Sequence, residues 1–225
     1  MASGSARALT ISQGLPWNSS SSTPPVQVQP GPWQYFTWQE ASLIEAIVDR
    51  LIPADERSVG GKDAGCALFI DRQLAGAYGT AAGAYMEAPF NLGTAAQGYQ
   101  RDASPARRYR EGLKALATYV EKTFPGKTLG QLPANAQDAI LTGLETGKIT
   151  LDGADAADFF ALILQNTTEG FFADPVYGGN RDMAGWKLLG FPGARYDYRD
   201  WVERHNEPFP LPPTSIMGRS DWSVR

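Results

Sequence analysis

One histidine and one cysteine narrow the chemistry open to this 225-residue chain. His205 could act as a general base, but such a histidine needs a second group to orient it and a shielded cleft. It sits in Glu203-Arg204-His205-Asn206-Glu207, inside a polar, proline-flanked stretch, and reads as a surface or interface residue. Cys66 opens the apolar run Cys66-Ala67-Leu68-Phe69, where a small buried side chain is the expectation and a bridge to a partner the alternative. A single cysteine excludes an internal disulfide framework, a thiolate metal cage and a CxxCH haem attachment; a single histidine excludes His-pair metal sites. Asp152, Asp155 and Asp158 precede or begin an apolar run, where carboxylates suit a helix N-terminus, and they miss the spacing of a calcium-binding loop.

Phosphate-binding signatures are missing as well. The chain has no GxGxxG turn to set a helix N-terminus against a pyrophosphate. Gly126-Lys127-Thr128 imitates the end of a phosphate-binding loop, but position 121 is Glu where the earlier glycine is required, so a surface turn after Pro125 is expected. No GxSxG nucleophile elbow is present. The remaining candidate is the turn around Gly178-Gly179-Asn180, where Asp174, Tyr177 and Arg181 could serve an enzyme or a rigid structural element. In this turn Asp174-Pro175 favours initiation, Gly178-Gly179-Asn180 offers three neighbours tolerant of positive φ, and Gly185 and Gly190 bracket Trp186.

The elements that must position this turn are helical. Thr37-Trp38-Gln39-Glu40 fits a capping box, followed by Leu43, Ile44, Ile47, Val48 and Leu51 at helical spacing and stopped by Pro53. A second helix is predicted from about Asp63, through Leu68, Phe69, Leu74 and Tyr78. Residues 79–103 read as loop with short helical pieces. Ser104-Pro105 starts a third helix carrying Tyr109, Leu113, Leu116 and Val120, and a fourth spans about 134–146. Asp155 opens a fifth, to about Phe172, and a short helical piece is expected around Trp186–Leu189. Alternating strand patterns are missing, so the expected fold is all-α: a small bundle of about five helices with long extended N- and C-terminal arms.

The division is an extended arm at 1–34, a helical domain at 35–190 and an extended tail at 191–225. The arm and tail are rich in proline, so any order in them is expected to come from contacts with another surface. Both carry aromatic residues at intervals, with Trp17 and Trp33 in the arm and Trp201, Phe209 and Trp222 in the tail. Interfaces concentrate such residues, which makes them candidates for partner contact together with Asp174, Tyr177, Gly178, Gly179, Asn180, Arg181 and Trp186. The net charge of −4 and a pI of about 5.1 leave no nucleic-acid footprint. Membrane helices need runs of roughly 18 apolar residues, and none is approached. Residues 2–8 are small and polar, so an intact export signal is not expected, which leaves a processed exported chain open.

The run GFFADPVYGGNRDMAGWKLLGFPG at 170–193 resembles the gluconate 2-dehydrogenase subunit 3 family. LIEAIVDRLIPADERSVGGKDAGCALFIDRQL at 43–74 looks like the family's first two helices, and FPLPPTSI at 209–216 like its tail. The resemblance covers about 37–216; residues before it are unmatched. It implies a non-catalytic small subunit of a periplasmic complex on the outer face of the bacterial inner membrane. An FAD-containing large subunit of the glucose–methanol–choline type would hold the catalytic residues. A multihaem cytochrome c subunit would pass electrons to quinone. The small subunit would support export and assembly of its partner, with no catalytic, cofactor-binding or metal-binding residue of its own. Family members typically carry a twin-arginine signal, which this sequence does not show. Gluconate is the first choice of substrate for such a complex, with 2-ketogluconate, sorbitol and glucose behind it. The competing readings are a stand-alone enzyme using the glycine turn and a free binding module or export chaperone.

Overall fold

The computed structural model describes residue 28 and residues 30–216 apart from positions 92 and 196. Among these are six α-helices and no strand: α1 (Trp38–Leu51), α2 (Cys66–Ala75), α3 (Pro105–Thr123), α4 (Ala134–Glu145), α5 (Ala156–Phe172) and α6 (Ala184–Leu189). The all-α expectation holds, and the sixth helix is the short piece foreseen near Trp186. Among the described residues, no helix is long and apolar enough to cross a membrane.

Local chemistry accounts for the helix starts. The Glu40 backbone N–H donates to Thr37 Oγ1 at 3.3 Å while the Thr37 N–H donates to the Glu40 carboxylate at 2.8 Å, completing the predicted capping box of α1. Ser104 caps α3 and Asp155 caps α5 by accepting from the N–H three residues on, at 3.3 Å and 3.1 Å. Asp155 and Asp158 also face Arg101 at 3.6 and 3.9 Å, consistent with capping rather than cation binding. Helix α2 begins at Cys66, not near Asp63. Gly65 has φ +83°, outside any right-handed helix, and Gly61 lies so close to α1 that a Cβ there would stand 2.4 Å from the Val48 carbonyl oxygen. Residues 61–65 therefore form a turn packed on α1. Among the described residues of 79–103, the helical element is the 3₁₀ turn Ala95–Gln97.

Helix α5 is the centre of the bundle, with α1, α2, α3, α4 and α6 packed around it. Its buried residues, among them Phe159, Phe160, Ile163, Asn166, Gly170 and Phe171, recur at helical spacing and form one broad face. Close packing is visible at Gly112 of α3, where the Phe159 ring occupies the space a Cβ would need, 2.2 Å away. One polar residue on this buried surface, Asn166, accepts hydrogen bonds from the Tyr109 and Tyr78 hydroxyls at 2.9 and 3.1 Å and donates to Glu169 at 3.0 Å. Burial raises both phenols above their ordinary pKa, so they remain donors at physiological pH.

A second buried polar group ties the chain ahead of α1 to α2. Asp71 is fully buried. Its carboxylate accepts from the backbone N–H groups of Gln34, Tyr35 and Phe36, each at 2.9 Å, and pairs with Arg72. Arg72 also donates to the Pro32 carbonyl at 3.2 Å. Residues 32–36, partly inside the stretch expected as an extended arm, are thus docked on α2, with Trp33 packed edge-on to Phe36.

Removing one partner of a buried, hydrogen-bonded ion pair costs roughly 3–5 kcal/mol. Asp71→Ala is therefore expected to lower the thermal midpoint by about 10 °C, followed by circular dichroism. An unchanged midpoint would mean that the docking of residues 34–36 adds nothing to stability.

Candidate functional site

The glycine turn begins where α5 ends. Ala173 leaves the helix in extended conformation, and Pro175 at the next position but one cannot continue it. Asp174 then caps a 3₁₀ turn, Pro175–Tyr177, by accepting from the Val176 N–H at 3.0 Å. Gly178 takes φ +95° and Asn180 φ +44°, so two of the three positions expected to tolerate left-handed backbone adopt it. Gly179 does not. It is required for another reason: a Cβ there would lie 2.1 Å from the carbonyl oxygen of Gly170 in α5. Backbone packs directly on backbone.

Asn180 holds the turn closed. It is fully buried, its side-chain amide donates to the Ala173 carbonyl at 2.8 Å, and its side-chain oxygen accepts from the Gly185 N–H at 2.8 Å. The next residues carry strain, because Asp182 and Met183 also have positive φ, at 55° and 58°. Left-handed backbone costs a non-glycine residue roughly 1–2 kcal/mol, and Asn and Asp bear it best. The compensation is local. The Arg181 N–H donates to Ala64 O ahead of α2 at 2.9 Å, and Trp186 Nε1 donates to Phe172 O at 2.8 Å. Across the same junction Gly65 approaches the Gly178 carbonyl, leaving 2.6 Å for a Cβ.

Both ends of the described chain reach this turn. The Val28 N–H donates to Val176 O at 2.9 Å, and the Gly178 α-carbon faces the Val28 side chain. At the other end Ser215 Oγ and the Ile216 N–H donate to the two Asp174 oxygens at 2.6 and 2.8 Å. The tail between them closes on itself. Ala194 N–H donates to Thr214 O at 2.6 Å, Tyr198 OH to Gly193 O at 3.0 Å, and Arg195 to Pro212 O. The described residues of 191–216 thus make hydrogen bonds within their own chain. Trp201 and Phe209, 5.1 Å apart, pack against each other within this loop.

The candidate residues fall into three groups. Asp174, Tyr177, Gly178, Gly179, Asn180, Arg181 and Trp186 share one turn. Trp33 packs near α2, and Trp201 with Phe209 forms the separate cluster in the tail loop. Trp17 and Trp222 lie outside the described residues. Trp186 is buried within the chain, whereas Tyr177 is exposed to 44%. Chemically, the Asp174 carboxylate is taken up by three donors, the arrangement of a clamp. His205 is exposed in the tail loop. A cavity of about 190 Å³ lies elsewhere, between the starts of α3 and α5. Its charges pair among themselves: Arg107 with Glu111 at 2.8 Å, Arg101 with Asp155, and Arg108 stacked 3.7 Å over the Tyr99 ring. No group of three or more metal-ligating side chains occurs among the described residues.

The sequence pattern of gluconate 2-dehydrogenase subunit 3 matches residues 38–193. The chain belongs to the gluconate 2-dehydrogenase subunit 3 family. The match takes in α1 through α6 and the whole glycine turn, and it ends at Gly193, short of the 209–216 stretch that also looked like the family. No curated protein and no solved structure matches the chain.

Asp71, Asn166 and Ser215 escaped the sequence reading as organising residues. Asp71 alone had a signal: it falls four residues after Ala67 and three before Leu74, at a core position of an apolar helix.

Gly179→Val is expected to abolish soluble folding, since the backbone of α5 cannot yield a Cβ its space, while Asp182→Asn is expected to fold normally because Asn accepts left-handed φ. Soluble yield and circular dichroism of the two variants check this. Burial pushes the Cys66 thiol up from its ordinary 9.0 to about 12. The native thiol then stays protonated while the unfolded one ionises, so the native state binds more protons and stability falls as pH rises between about 9 and 12. Chemical denaturation across that window is expected to show a steeper loss for the natural chain than for Cys66→Ala. Equal slopes would place Cys66 in contact with water.

Proposed function

We propose that this chain is a non-catalytic small subunit of a periplasmic, FAD-dependent gluconate 2-dehydrogenase-type complex. It supports assembly, stability and export of the large flavoprotein subunit that oxidises a sugar acid or sugar and passes electrons through cytochrome c to quinone. The observation that carries this reading is the family match over 38–193, a stretch whose most distinctive segment is a packed structural turn.

The side chains of this chain fit a structural role better than a cofactor-holding one. Flavin pyrophosphate is commonly seated where a strand turns into a helix through a glycine-rich loop, and the described residues contain no strand. A c-type haem needs a CxxCH attachment, whereas Cys66 is buried in α2 and His205 stands far along the sequence in the tail loop. FAD and haem c are accordingly assigned to partner subunits: a glucose–methanol–choline type chain and a multihaem cytochrome c. Membrane association would come only through the complex.

Purification of the tagged full-length chain from its source cells tests the reading. The expected result is a stoichiometric flavin-containing chain and gluconate oxidation with an artificial electron acceptor. The same chain produced alone is expected to be colourless and inactive. Turnover by the single chain, or a flavin or Soret band persisting in it, would overturn the proposal.

A further inference from the structure

Capping of α5 falls to Asp155, not to Asp152. Asp152 instead fills a turn with Gly153, between Leu151 and Ala154. In all 225 residues it is the one aspartate or asparagine that a glycine follows. That pairing has a chemistry of its own. A glycine nitrogen, with no Cβ beside it, can approach the Cγ of the preceding aspartate and close a five-membered succinimide ring.

The structure leaves this reaction open at Asp152. The Asp152 side chain is 89% exposed, and Gly153 is exposed as well. Gly153 has φ +81°, and beyond its chain neighbours no heavy atom lies within 4 Å of where its Cβ would stand. Among the described residues its N–H meets no hydrogen-bond acceptor, so the nitrogen is not committed elsewhere. The turn is closed by the Ala154 N–H donating to Leu151 O at 3.5 Å, long for a hydrogen bond, so the Asp152 torsions are lightly held. Lys122 Nζ stands 3.0 Å from the carboxylate, but a pair between two exposed side chains restrains it little. The neighbouring aspartates differ. Asp155 and Asp158 precede Ala156 and Phe159, whose β-carbons flank the nitrogen and whose backbone is fixed in α5.

We propose that Asp152 is a site of spontaneous modification, converting through a succinimide to isoaspartate in the folded protein. The Gly153 nitrogen bonds to Cγ, the Cγ–OH bond breaks, and the nitrogen's proton leaves with that hydroxyl as water. Water then adds at either ring carbonyl. Addition at Cγ restores aspartate. Addition at the former main-chain carbonyl gives isoaspartate, whose backbone runs through Cβ and Cγ. No oxidant and no co-reactant other than water takes part. The product inserts a methylene between buried Leu151 and Ala154, which packs against the core, and its carboxylate sits directly on Cα, drawn back from Lys122.

Ageing the full chain in its native state, below its thermal midpoint, tests this. Peptide mapping is expected to show the peptide holding Asp152 first lighter by one water and then as a separate species of unchanged mass. A protein isoaspartate methyltransferase is expected to label that peptide. Asp152→Glu keeps a carboxylate near Lys122 but would need a six-membered ring, and is expected to lose the label. Gly153→Ala is expected to slow labelling several-fold, because a Cβ then stands beside the attacking nitrogen. Circular dichroism establishes that both variants keep the helical bundle. Should Gly153→Ala fail to fold, Asp152→Glu and the natural chain decide alone. Label that reaches position 152 in the chain aged in denaturant but not in the native chain would show that the fold shields the turn, and would refute the proposal. Label confined to other aspartates of the native chain would refute it equally.

Discussion

The close approach of two backbones, Gly179 against Gly170, is the constraint on which the rest of the molecule depends. The carbonyl of Gly170 in α5 occupies the space any side chain at 179 would need. Because α5 is the helix around which the others pack, a turn seated on its last turn fixes the outlet of the bundle's centre. From that seat the turn reaches the start of α2 through Arg181 and Ala64, and the two ends of the described chain through Val176 and Asp174. Glycines and an asparagine are needed here because direct backbone packing tolerates neither bulk nor a strictly right-handed conformation.

Buried polar side chains act as the second organiser. Asp71, Asn166 and Asn180 lie inside the protein, and each is satisfied by more than one partner. Such groups are poor sources of net stability, since their desolvation offsets most of what their hydrogen bonds return. They are costly to leave unpaired, and that asymmetry selects one arrangement among the many that apolar packing alone would accept. Asp71 selects the path of residues 34–36, Asn166 the registry of α3 on α5, and Asn180 the closure of the turn.

The two organisers bear on function in the same way. The stretch that matches the gluconate 2-dehydrogenase subunit 3 family includes the glycine turn, whose backbone packs directly on α5. Its Asp174 carboxylate, the most obvious reactive group in the turn, accepts three hydrogen bonds from its own chain.

The helices were legible in the sequence because their causes are local. A Thr37–Glu40 capping box, Ser104 before Pro105, Asp155 as N-cap and apolar residues at helical spacing act over a few residues and need no partner from afar. The family resemblance was legible for the same reason, as an unusual contiguous run. The tertiary structure decided what depends on distant contacts. Gly65 delayed α2 because its neighbour is Gly178, more than a hundred residues away in sequence. Gly179 proved necessary for space and not for φ, because the obstacle is Gly170. The tail makes hydrogen bonds within its own chain because Asp174 lies where Ser215 and Ile216 arrive. Composition records that a proline-rich segment cannot form a helix, but not whether a carboxylate waits for it, since that depends on how the helices before it pack.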